Sequence, residues 1–390
     1  MACFRHPEGM DDALPQLRPP ERLLCGPGPT NVDPAVLEAM TRPMLGHLDP
    51  KMHEILLDVV ELLRRVYRMP DGLVLPLHCT GTAGMEAGIA NLLEPGDTVI
   101  VAQCGFFGRR ISEIARRHGA RVVTVTADWG ECVSNEALME ALDHERQARM
   151  VAVVHAETST GVEHPLGELG ELLRDRDTLL MADCVTSLAG VPLEVGAWGV
   201  DFAYSCTQKC LAAPPGMSPV AVSERAMERL RSRQTPVPFT FDLQLLERYW
   251  VERPATYHHT APILGIYALH EALCGVLREG LEERWARHAE AAAHLQGALE
   301  ERGLELLADP EHRLAPLTAV RVPEGVDGKA VQGRMLRQHG IEIGGGLGPD
   351  APAMWRIGLM GRNASVETAD RVLMALDAVL ADSPVATAVA

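Results

Sequence analysis

The residue best suited to covalent chemistry is a lysine in a mostly apolar run. Lys209 follows a predicted strand at residues 201–205 and a polar turn, and its flanks are Cys206 and Cys210 rather than charged residues. Its amine is therefore expected to be desolvated, and a desolvated amine loses its proton more readily and can attack a carbonyl carbon. An isolated lysine is more often a solvated surface residue, and the sequence alone leaves that alternative open.

A second candidate is Asp183, which ends the apolar run 178–183. An ionised carboxylate at the carboxyl edge of a sheet is well placed to hold the N–H of a pyridinium ring. It could equally cap the turn or helix that follows the strand.

The third candidate is a helix start made of small residues, Gly81, Thr82 and Ala83. The apolar residues that follow, including Met85 and Ile89, recur at helical spacing. Free amides and the helix dipole make such an end suitable for a phosphate. Tight packing of a helix on a strand explains the small residues as well.

Three familiar ligand signatures are missing from the sequence. The glycine-rich run 343–349 lacks the G-x-G-x-x-G spacing because Pro349 stands in the place of the last glycine. Lys329 is followed by Ala330 rather than by Ser or Thr, and no H-E-x-x-H occurs. Dinucleotide-binding, P-loop and zincin functions therefore have no motif support, and no metal site is predicted.

The spacing of apolar residues predicts an α/β fold. Short apolar runs alternate with amphipathic stretches between residues 73 and 222, which is typical of a mostly parallel sheet covered by helices, with ligands beyond the carboxyl ends of its strands. The predicted strands of this region are 98–102, 121–125, 150–155, 178–183 and 201–205, and the predicted helices are 109–118, 135–142 and 166–173.

Long helices interrupted by glycines are predicted over residues 264–302, followed by a smaller α+β region. Its predicted elements are strands at 318–322, 341–343 and 354–359 and a final helix at 366–380. We therefore predict an N-terminal arm (1–22), a large domain (23–265) and a small C-terminal domain (266–390).

Composition and charge exclude several classes of function. The 390 residues include 36 Lys and Arg against 53 Asp and Glu, a formal net charge of −17, which disfavours nucleic acid and membrane surfaces as partners and favours small molecules. No apolar run approaches the roughly 20 residues of a membrane span. Because the N-terminal residues also lack an apolar signal core, we expect a cytoplasmic protein. The nine cysteines contain no C-x-x-C pair, so neither a disulfide framework nor a zinc ribbon is predicted.

The lysine, the aspartate and the small-residue helix start occur in an order that resembles the class V aminotransferases of fold type I. The closest resemblance is to the alanine–glyoxylate, serine–glyoxylate and serine–pyruvate aminotransferase family. The matching motifs extend over nearly the whole chain and lie at residues 26–31, 46–50, 81–84, 93–97, 105–108, 155–161, 183–190, 208–209, 257–260, 344–349 and 356–361.

This resemblance implies pyridoxal 5′-phosphate (PLP) as the cofactor. Lys209 would hold it as a Schiff base and then move the proton of the substrate's α-carbon, while Asp183 would keep the ring nitrogen protonated. Phe107 stands where the family stacks an aromatic residue on the ring, and Thr158 matches a hydroxyl position beside it. By its type alone, Phe107 would be assigned to the core.

The resemblance also implies a phosphate site formed by Gly81, Thr82, Ala83 and Gln208. Tyr257 and Thr260 would reach the phosphate bound to the neighbouring subunit, so the active sites of a homodimer would lie at the subunit interface. The intervening histidine pair could suggest a metal site, but two adjacent histidines without a third ligand are usually structural.

Arg356 would bind the carboxylate of the substrate, because its planar guanidinium matches a carboxylate bidentately. The alternative is a structural ion pair with a carboxylate of the protein. Gly28 and His47, and more weakly Asn31, would lie near the substrate.

The implied reaction is a ping-pong transamination between a small amino acid, alanine or serine, and a small 2-oxo acid, glyoxylate or pyruvate. Departures such as Cys206 and Thr207 before Gln208 leave the amino donor open. Ureidoglycine–glyoxylate transamination ranks second, and a biosynthetic aminotransferase is a third alternative. A lyase or desulfurase would need a reactive cysteine on a late mobile loop, yet the last cysteine is Cys274 in a predicted helix. A non-enzymatic protein of the same fold is disfavoured because Lys209, Asp183 and Arg356 are all present.

Overall fold

A large sheet and a smaller three-stranded sheet organise the chain. The structure is a computed structural model that describes residues 16–381. Residues 1–15 of the predicted N-terminal arm and residues 382–390 lie outside the described part. The strands are β1 (Leu23–Leu24), β2 (Leu73–Leu77), β3 (Thr98–Gln103), β4 (Arg121–Thr126), β5 (Met150–Val154), β6 (Ala156–Glu157), β7 (Val162–Glu163), β8 (Leu179–Asp183), β9 (Phe202–Tyr204), β10 (Ser218–Val222), β11 (Leu317–Arg321), β12 (Ile341–Glu342), β13 (Gly344–Gly345) and β14 (Met354–Gly358). The helices are α1 (Pro34–Ala39), α2 (Pro50–Tyr67), α3 (Gly81–Leu92), α4 (Phe106–Arg117), α5 (Asn135–His144), α6 (Leu166–Leu173), α7 (Glu224–Arg231), α8 (Leu243–Trp250), α9 (Ile263–Glu279), α10 (Leu281–Glu301), α11 (Gly328–His339) and α12 (Val366–Ala381).

The large sheet has the strand order β2-β10-β9-β8-β5-β3-β4. All neighbours from β9 to β4 are parallel, whereas β10 is antiparallel to both β9 and β2. The strands β5 and β8 are buried along their whole length, as expected where helices cover a parallel sheet. The prediction of an α/β fold with a mostly parallel sheet is therefore confirmed.

Register places the site at one edge of this sheet. Asp183 at the end of β8 pairs with Tyr204 at the end of β9, and the turn that carries Lys209 follows β9 directly. Parallel strands end at the same edge, so the two candidate residues of the sequence analysis are brought to one side of the sheet.

The predicted elements agree with the structure to within a few residues, with two informative differences. The helix predicted at 109–118 begins three residues earlier, at Phe106, where the side chain of Glu157 accepts hydrogen bonds from free amides of its first turn. The long helical region is broken at Gly280, with φ +91°, whereas Gly275 and Gly297 lie inside helices. Strands β2 and β10 are absent from the prediction.

A second hydrophobic core surrounds the sheet β11-β14-β13, which is antiparallel. Helices α10, α11 and α12 pack on it, and Trp355 and Ile357 of β14 are fully buried in this core. This is the predicted α+β region; the domain boundaries at residues 22 and 265 stay a prediction.

Residues 23–31, called here the crossing segment, connect the smaller sheet to the lysine turn. Strand β1 pairs with β12, and the carbonyl of Cys25 accepts a 2.8 Å hydrogen bond from the amide of Gly358. Further along, the amide of Thr30 donates to the carbonyl of Gln208 over 3.0 Å. The crossing segment therefore fixes the distance between β14 and Lys209. Among residues 16–381, no helix has the length and apolar character that a bilayer crossing requires.

Small residues allow α3 to lie against the sheet, which fixes the position of its N-terminus. A Cβ on Gly84 would overlap Ser218 Oγ of β10, and that hydroxyl donates a 2.6 Å hydrogen bond to the carbonyl of Ser205. We predict that Gly84→Ala lowers the free energy of unfolding by about 1–3 kcal/mol, although alanine is the better helix former, because the added methyl overpacks this contact. Denaturant titration followed by circular dichroism measures the change.

The matched control is Gly297→Ala in α10, where a Cβ would meet no atom within 4 Å. Alanine should stabilise the protein there by about 0.5–1 kcal/mol through helix propensity. Equal stabilisation by both variants would contradict the close packing of α3.

Candidate active site

Lys209 is a buried lysine whose surroundings favour the neutral amine. Its Nζ donates to the carbonyl of Pro27 in the crossing segment, and the residue retains 9% of its exposure. Burial lowers the pKa of Lys209, and the nearby Arg356 guanidinium lowers it further. The sequence-based expectation of a desolvated amine is confirmed, so the alternative of a solvated surface lysine is excluded.

Gly28 provides the space through which this side chain passes. Its φ of +102° lies in the region that favours glycine, and a Cβ there would stand 2.5 Å from Lys209 Cδ and 2.7 Å from Lys209 Nζ. The close approach of Lys209 therefore requires a glycine at this position, and the predicted role of Gly28 near the substrate stays a prediction.

Asp183 is a buried carboxylate with two hydrogen-bond donors. The hydroxyl of Tyr204 donates to its Oδ2 over 2.5 Å, and the amide of Val185 donates to its Oδ1 over 2.9 Å. Burial raises the pKa of Asp183 to about 6, against the lowering effect of these donors and of Lys209. The bond from Val185 shows that Asp183 also stabilises the turn after β8, so the capping interpretation is confirmed and the role toward a ring nitrogen stays a prediction.

The N-terminus of α3 presents two free amides beside the lysine turn. Thr80 caps the helix, and its hydroxyl accepts from the amide of Ala83 over 3.2 Å. In the described part of the chain the amides of Gly81 and Thr82 make no hydrogen bond. Gly81 must be small, since a Cβ there would lie 3.2 Å from the Cβ of Cys206. The amides of Gly81 and Thr82 are free for an anion, whereas the prediction of a free amide at Ala83 is wrong because that amide already donates to the Thr80 cap.

The side-chain oxygen of Gln208 is a further polar atom without a hydrogen-bond partner in the described residues. This atom, Oε1, is buried. A buried amide end without a partner costs about 1–3 kcal/mol. The end of this side chain is therefore poised for a polar ligand next to Lys209.

Arg356 is a buried guanidinium without an acidic partner. It lies in β14 and is 6% exposed; its Nε donates to the carbonyl of Gly345 over 2.6 Å and its Nη1 to the carbonyl of Thr158 over 3.0 Å. Burial lowers the pKa of Arg356 to about 10, and the more distant Glu157 opposes this. No carboxylate of the described residues forms an ion pair with it, so the alternative of a structural ion pair is wrong.

Glu157 is a residue of the site that sequence reasoning missed. Its fully buried carboxylate accepts from the amides of Phe107 and Gly108 over 3.0 and 3.3 Å and from the Ser159 hydroxyl over 2.6 Å. It thereby binds the first turn of α4, with the Phe107 ring, to the loop that carries Thr158. Burial raises the pKa of Glu157, and its hydrogen bonds oppose the increase. The available signal was an acidic residue inside an otherwise apolar and hydroxyl-rich run, 155–161.

Tyr257, Thr260 and His47 lie together on the surface. The hydroxyl of Tyr257 is 3.4 Å from Thr260 Oγ1, and the Tyr257 ring lies 5.5 Å from that of His47. Tyr257 is 57% exposed, and within residues 16–381 no hydrogen bond, ion pair or ring contact joins these residues to Lys209 or Asp183 of the same chain. The single chain therefore does not bring them into the site, and their assigned roles stay predictions.

The neighbouring histidines form a contact chain. His259 touches His78 through Nε2 and His258 through Nδ1, the latter over 2.7 Å, so these nitrogens do not converge on one point. Burial lowers the pKa of His78 to about 3, which keeps it neutral. Across residues 16–381, no group of three or more His, Cys, Asp or Glu residues is arranged to hold a metal ion.

Comparison with known proteins supports the order of motifs found in the sequence. The sequence profile of the family described as aminotransferase class-V matches residues 23–367. An alanine–glyoxylate aminotransferase of Rattus norvegicus is 40% identical over 369 residues, which cover 94% of this chain and 89% of the relative. The (S)-ureidoglycine–glyoxylate transaminase of Bacillus subtilis is 37% identical over 384 residues, covering 94% and 92%.

A solved structure shows the same fold. The crystal structure of an alanine–glyoxylate aminotransferase from Nostoc sp. superposes with a TM-score of 0.92 at 47% sequence identity. The match covers 95% of this chain and 100% of the other. The expectation of fold type I is therefore confirmed.

The raised pKa of Asp183 predicts a pH-dependent effect on stability. The ordinary pKa of 3.8 rises to about 6 on folding, so between about pH 4 and 6 the folded protein keeps a proton that the unfolded chain has released. Ionisation of Asp183 thus costs the cofactor-free fold about 3 kcal/mol above pH 6, and the cost disappears below about pH 4. Asp183→Asn should therefore stabilise this form at pH 8 and give no such gain at pH 4, as measured by denaturant titration at both pH values.

A matched control is Asp201→Asn. Asp201 is an equally buried aspartate of the same sheet, but it forms an ion pair with Arg225. Its neutralisation should destabilise the protein at pH 8, because Arg225 loses its counter-ion. A stability difference between Asp183→Asn and wild type that is the same at pH 4 and pH 8 would contradict the assigned desolvation.

Proposed function

We propose that this chain, which belongs to the class V aminotransferase family, transfers the amino group of alanine or serine to glyoxylate or pyruvate. The observation that carries the proposal is the buried Arg356 guanidinium, which has backbone carbonyls but no carboxylate as partners. A carboxylate of a small acid would satisfy its charge, and a planar guanidinium binds a carboxylate through two parallel hydrogen bonds. Both amino acids and 2-oxo acids carry this group, so one arginine serves both substrates in turn.

The residues present fit PLP as the cofactor of this enzyme. Two free amides at the start of α3 suit a phosphate, and the carboxylate of Asp183 suits a protonated ring nitrogen. Lys209 supplies a buried amine next to both. When bound, PLP supplies an electron-withdrawing ring that stabilises negative charge at the substrate's α-carbon.

The chain's own residues then perform positioning and proton transfer. Arg356 fixes the substrate carboxylate. Lys209, with its lowered pKa, accepts the α-proton at Nζ and passes it on within the first half-reaction; in the second half-reaction Nζ delivers a proton to the α-carbon of the other substrate. The ionised carboxylate of Asp183 would hold the N–H of the cofactor ring. Glu157 fixes the start of α4 by accepting from the amide of Phe107, and so holds Phe107 where it would stack on that ring.

We place the working enzyme in a homodimer of the cytoplasm. Tyr257 and Thr260 are exposed in the single chain. Leu48 follows His47, whose ring lies beside that of Tyr257, and is 64% exposed; Phe239, whose ring stacks on that of His258, is 63% exposed. An exposed apolar patch of this kind favours an interface with a second copy, in which Tyr257 and Thr260 would reach the phosphate in the partner's site. The eight described cysteines are free thiols, which supports a reducing compartment.

A second candidate function is ureidoglycine–glyoxylate transamination. It is favoured by the 37% identity to the Bacillus subtilis enzyme over 94% of this chain. The two functions differ in the amino donor and share the acceptor, so a test of donors separates them.

The donor is tested by the visible absorbance of the PLP-loaded protein. We expect alanine or serine, added without an acceptor, to bleach the bound cofactor, and glyoxylate or pyruvate to restore it, because the two half-reactions occur separately. Arg356→Lys should require about a hundredfold more alanine for half-bleaching, since it loses one bidentate charge-assisted pair. The control Arg362→Lys changes an exposed arginine and should behave as wild type.

A response to ureidoglycine alone would replace the main proposal by the second candidate. The absence of bleaching by any of these amines, in protein with cofactor attached, would contradict both.

A further inference from the structure

One arginine beside the phosphate cradle has no acidic partner. Arg110 lies in the second turn of α4, and its Nη1 donates a 2.9 Å hydrogen bond to the hydroxyl of Thr82. Thr82 is one of the two residues at the start of α3 whose amides are free. The Arg110 guanidinium therefore contacts the side chain of a residue whose own amide is free to bind an anion.

Aromatic rings hold this guanidinium in place. Its Cζ lies 4.7 Å from the ring centroid of Phe106 and 5.0 Å from that of Phe107, and the two rings meet edge to face at 5.5 Å. Stacking on two rings restricts the long side chain and keeps its charge. Arg110 thus connects the residue predicted to stack on the cofactor ring with the residue predicted to bind the phosphate.

The acids nearest in sequence are committed to other partners. Glu113, three residues later on α4, pairs with Arg117, and Glu86, one turn after Thr82 on α3, lies 3.0 Å from His118 Nε2. Among residues 16–381 no carboxylate oxygen lies within 4.0 Å of the Arg110 guanidinium nitrogens, and Thr82 Oγ1 is its hydrogen-bond partner. Its charge and most of its donors are consequently available.

Arg109, the residue before Arg110, differs from it in both charge pairing and position. Arg109 is exposed, forms a 2.8 Å ion pair with Asp350 and has its guanidinium carbon 5.7 Å from the ring centroid of Trp129. It is the same residue type on the same turn, but its charge is neutralised by Asp350, and in the described part of the chain its guanidinium makes no hydrogen bond to α3.

We propose that Arg110 is a phosphate-binding residue of the cofactor site, which supplies the full positive charge that the amides of Gly81 and Thr82 lack. The amides and the helix dipole provide only partial charges, whereas a phosphate ester carries close to two negative charges at neutral pH. The Arg110 guanidinium, which is hydrogen-bonded to the Thr82 hydroxyl, would balance the charge of the phosphate. Its charge would also strengthen the hydrogen bonds that the phosphate accepts. This inference deepens the proposed function, because it rests on PLP as the ligand.

The test compares PLP with pyridoxal, which has the same ring and aldehyde but no phosphate. Cofactor-free wild type, Arg110→Gln and the control Arg109→Gln are titrated with each compound, and dissociation constants are read from the absorbance of the bound form. We expect Arg110→Gln to raise the dissociation constant for PLP about tenfold and to leave that for pyridoxal within a factor of two. Arg109→Gln should match wild type with both.

A conservative variant and a competitor keep the test independent of folding defects. Arg110→Lys retains the charge and should lose less PLP affinity than Arg110→Gln. Inorganic phosphate should compete with PLP more strongly in wild type than in Arg110→Gln. Equal weakening of PLP and pyridoxal would show that Arg110 acts through the Phe107 ring, and unchanged PLP binding would show that it does not act on the cofactor; either result overturns the proposal. Wild type that binds neither compound would overturn the proposed function together with this inference.

Discussion

The burial of one lysine side chain is the constraint on which the rest of the site depends. The ammonium form of Lys209 is penalised by its loss of water, and the path to its buried position exists because Gly28 has no side chain. The crossing segment that carries Gly28 is itself fixed by β12, by Gly358 and by the carbonyl of Gln208. The two sheets are thereby held at the separation that brings the amine near the guanidinium of Arg356.

Several polar groups of the site are not fully satisfied by the protein itself, which is the condition expected of groups that bind a ligand. The Arg356 guanidinium has no carboxylate, the amides of Gly81 and Thr82 have no acceptor, and Gln208 Oε1 has no donor in the described chain. Stability alone would select against such groups, because unpaired buried polar atoms are costly. Glu157 shows the opposite case: its carboxylate is saturated by protein donors, so it holds the site together and is not available for a substrate.

The shared location of Asp183 and Lys209 was predictable from sequence because the carboxyl ends of parallel strands lie at the same edge of a sheet. The apolar runs ending near Asp183 and before Lys209 give both residues and their shared location, and the motif order gives Arg356. The antiparallel strand β10 and the edge strand β2 were not predictable in this way, since their pairing depends on contacts between residues far apart in the chain. The roles of Glu157 and Arg110 depend on side-chain distances across elements, and the roles proposed for Tyr257 and Thr260 would depend on a second copy of the chain.

The most direct test of the account is the position of covalent cofactor attachment. The chain contains three lysines, of which Lys51 and Lys329 are exposed and Lys209 is buried, so the outcome is unambiguous. Protein loaded with PLP is reduced with sodium borohydride, digested and mapped by mass spectrometry. We predict that the cofactor mass is found on the peptide that contains Lys209 and is lost in Lys209→Ala. Attachment at Lys51 or Lys329, or no attachment to wild type at all, would contradict the central claim.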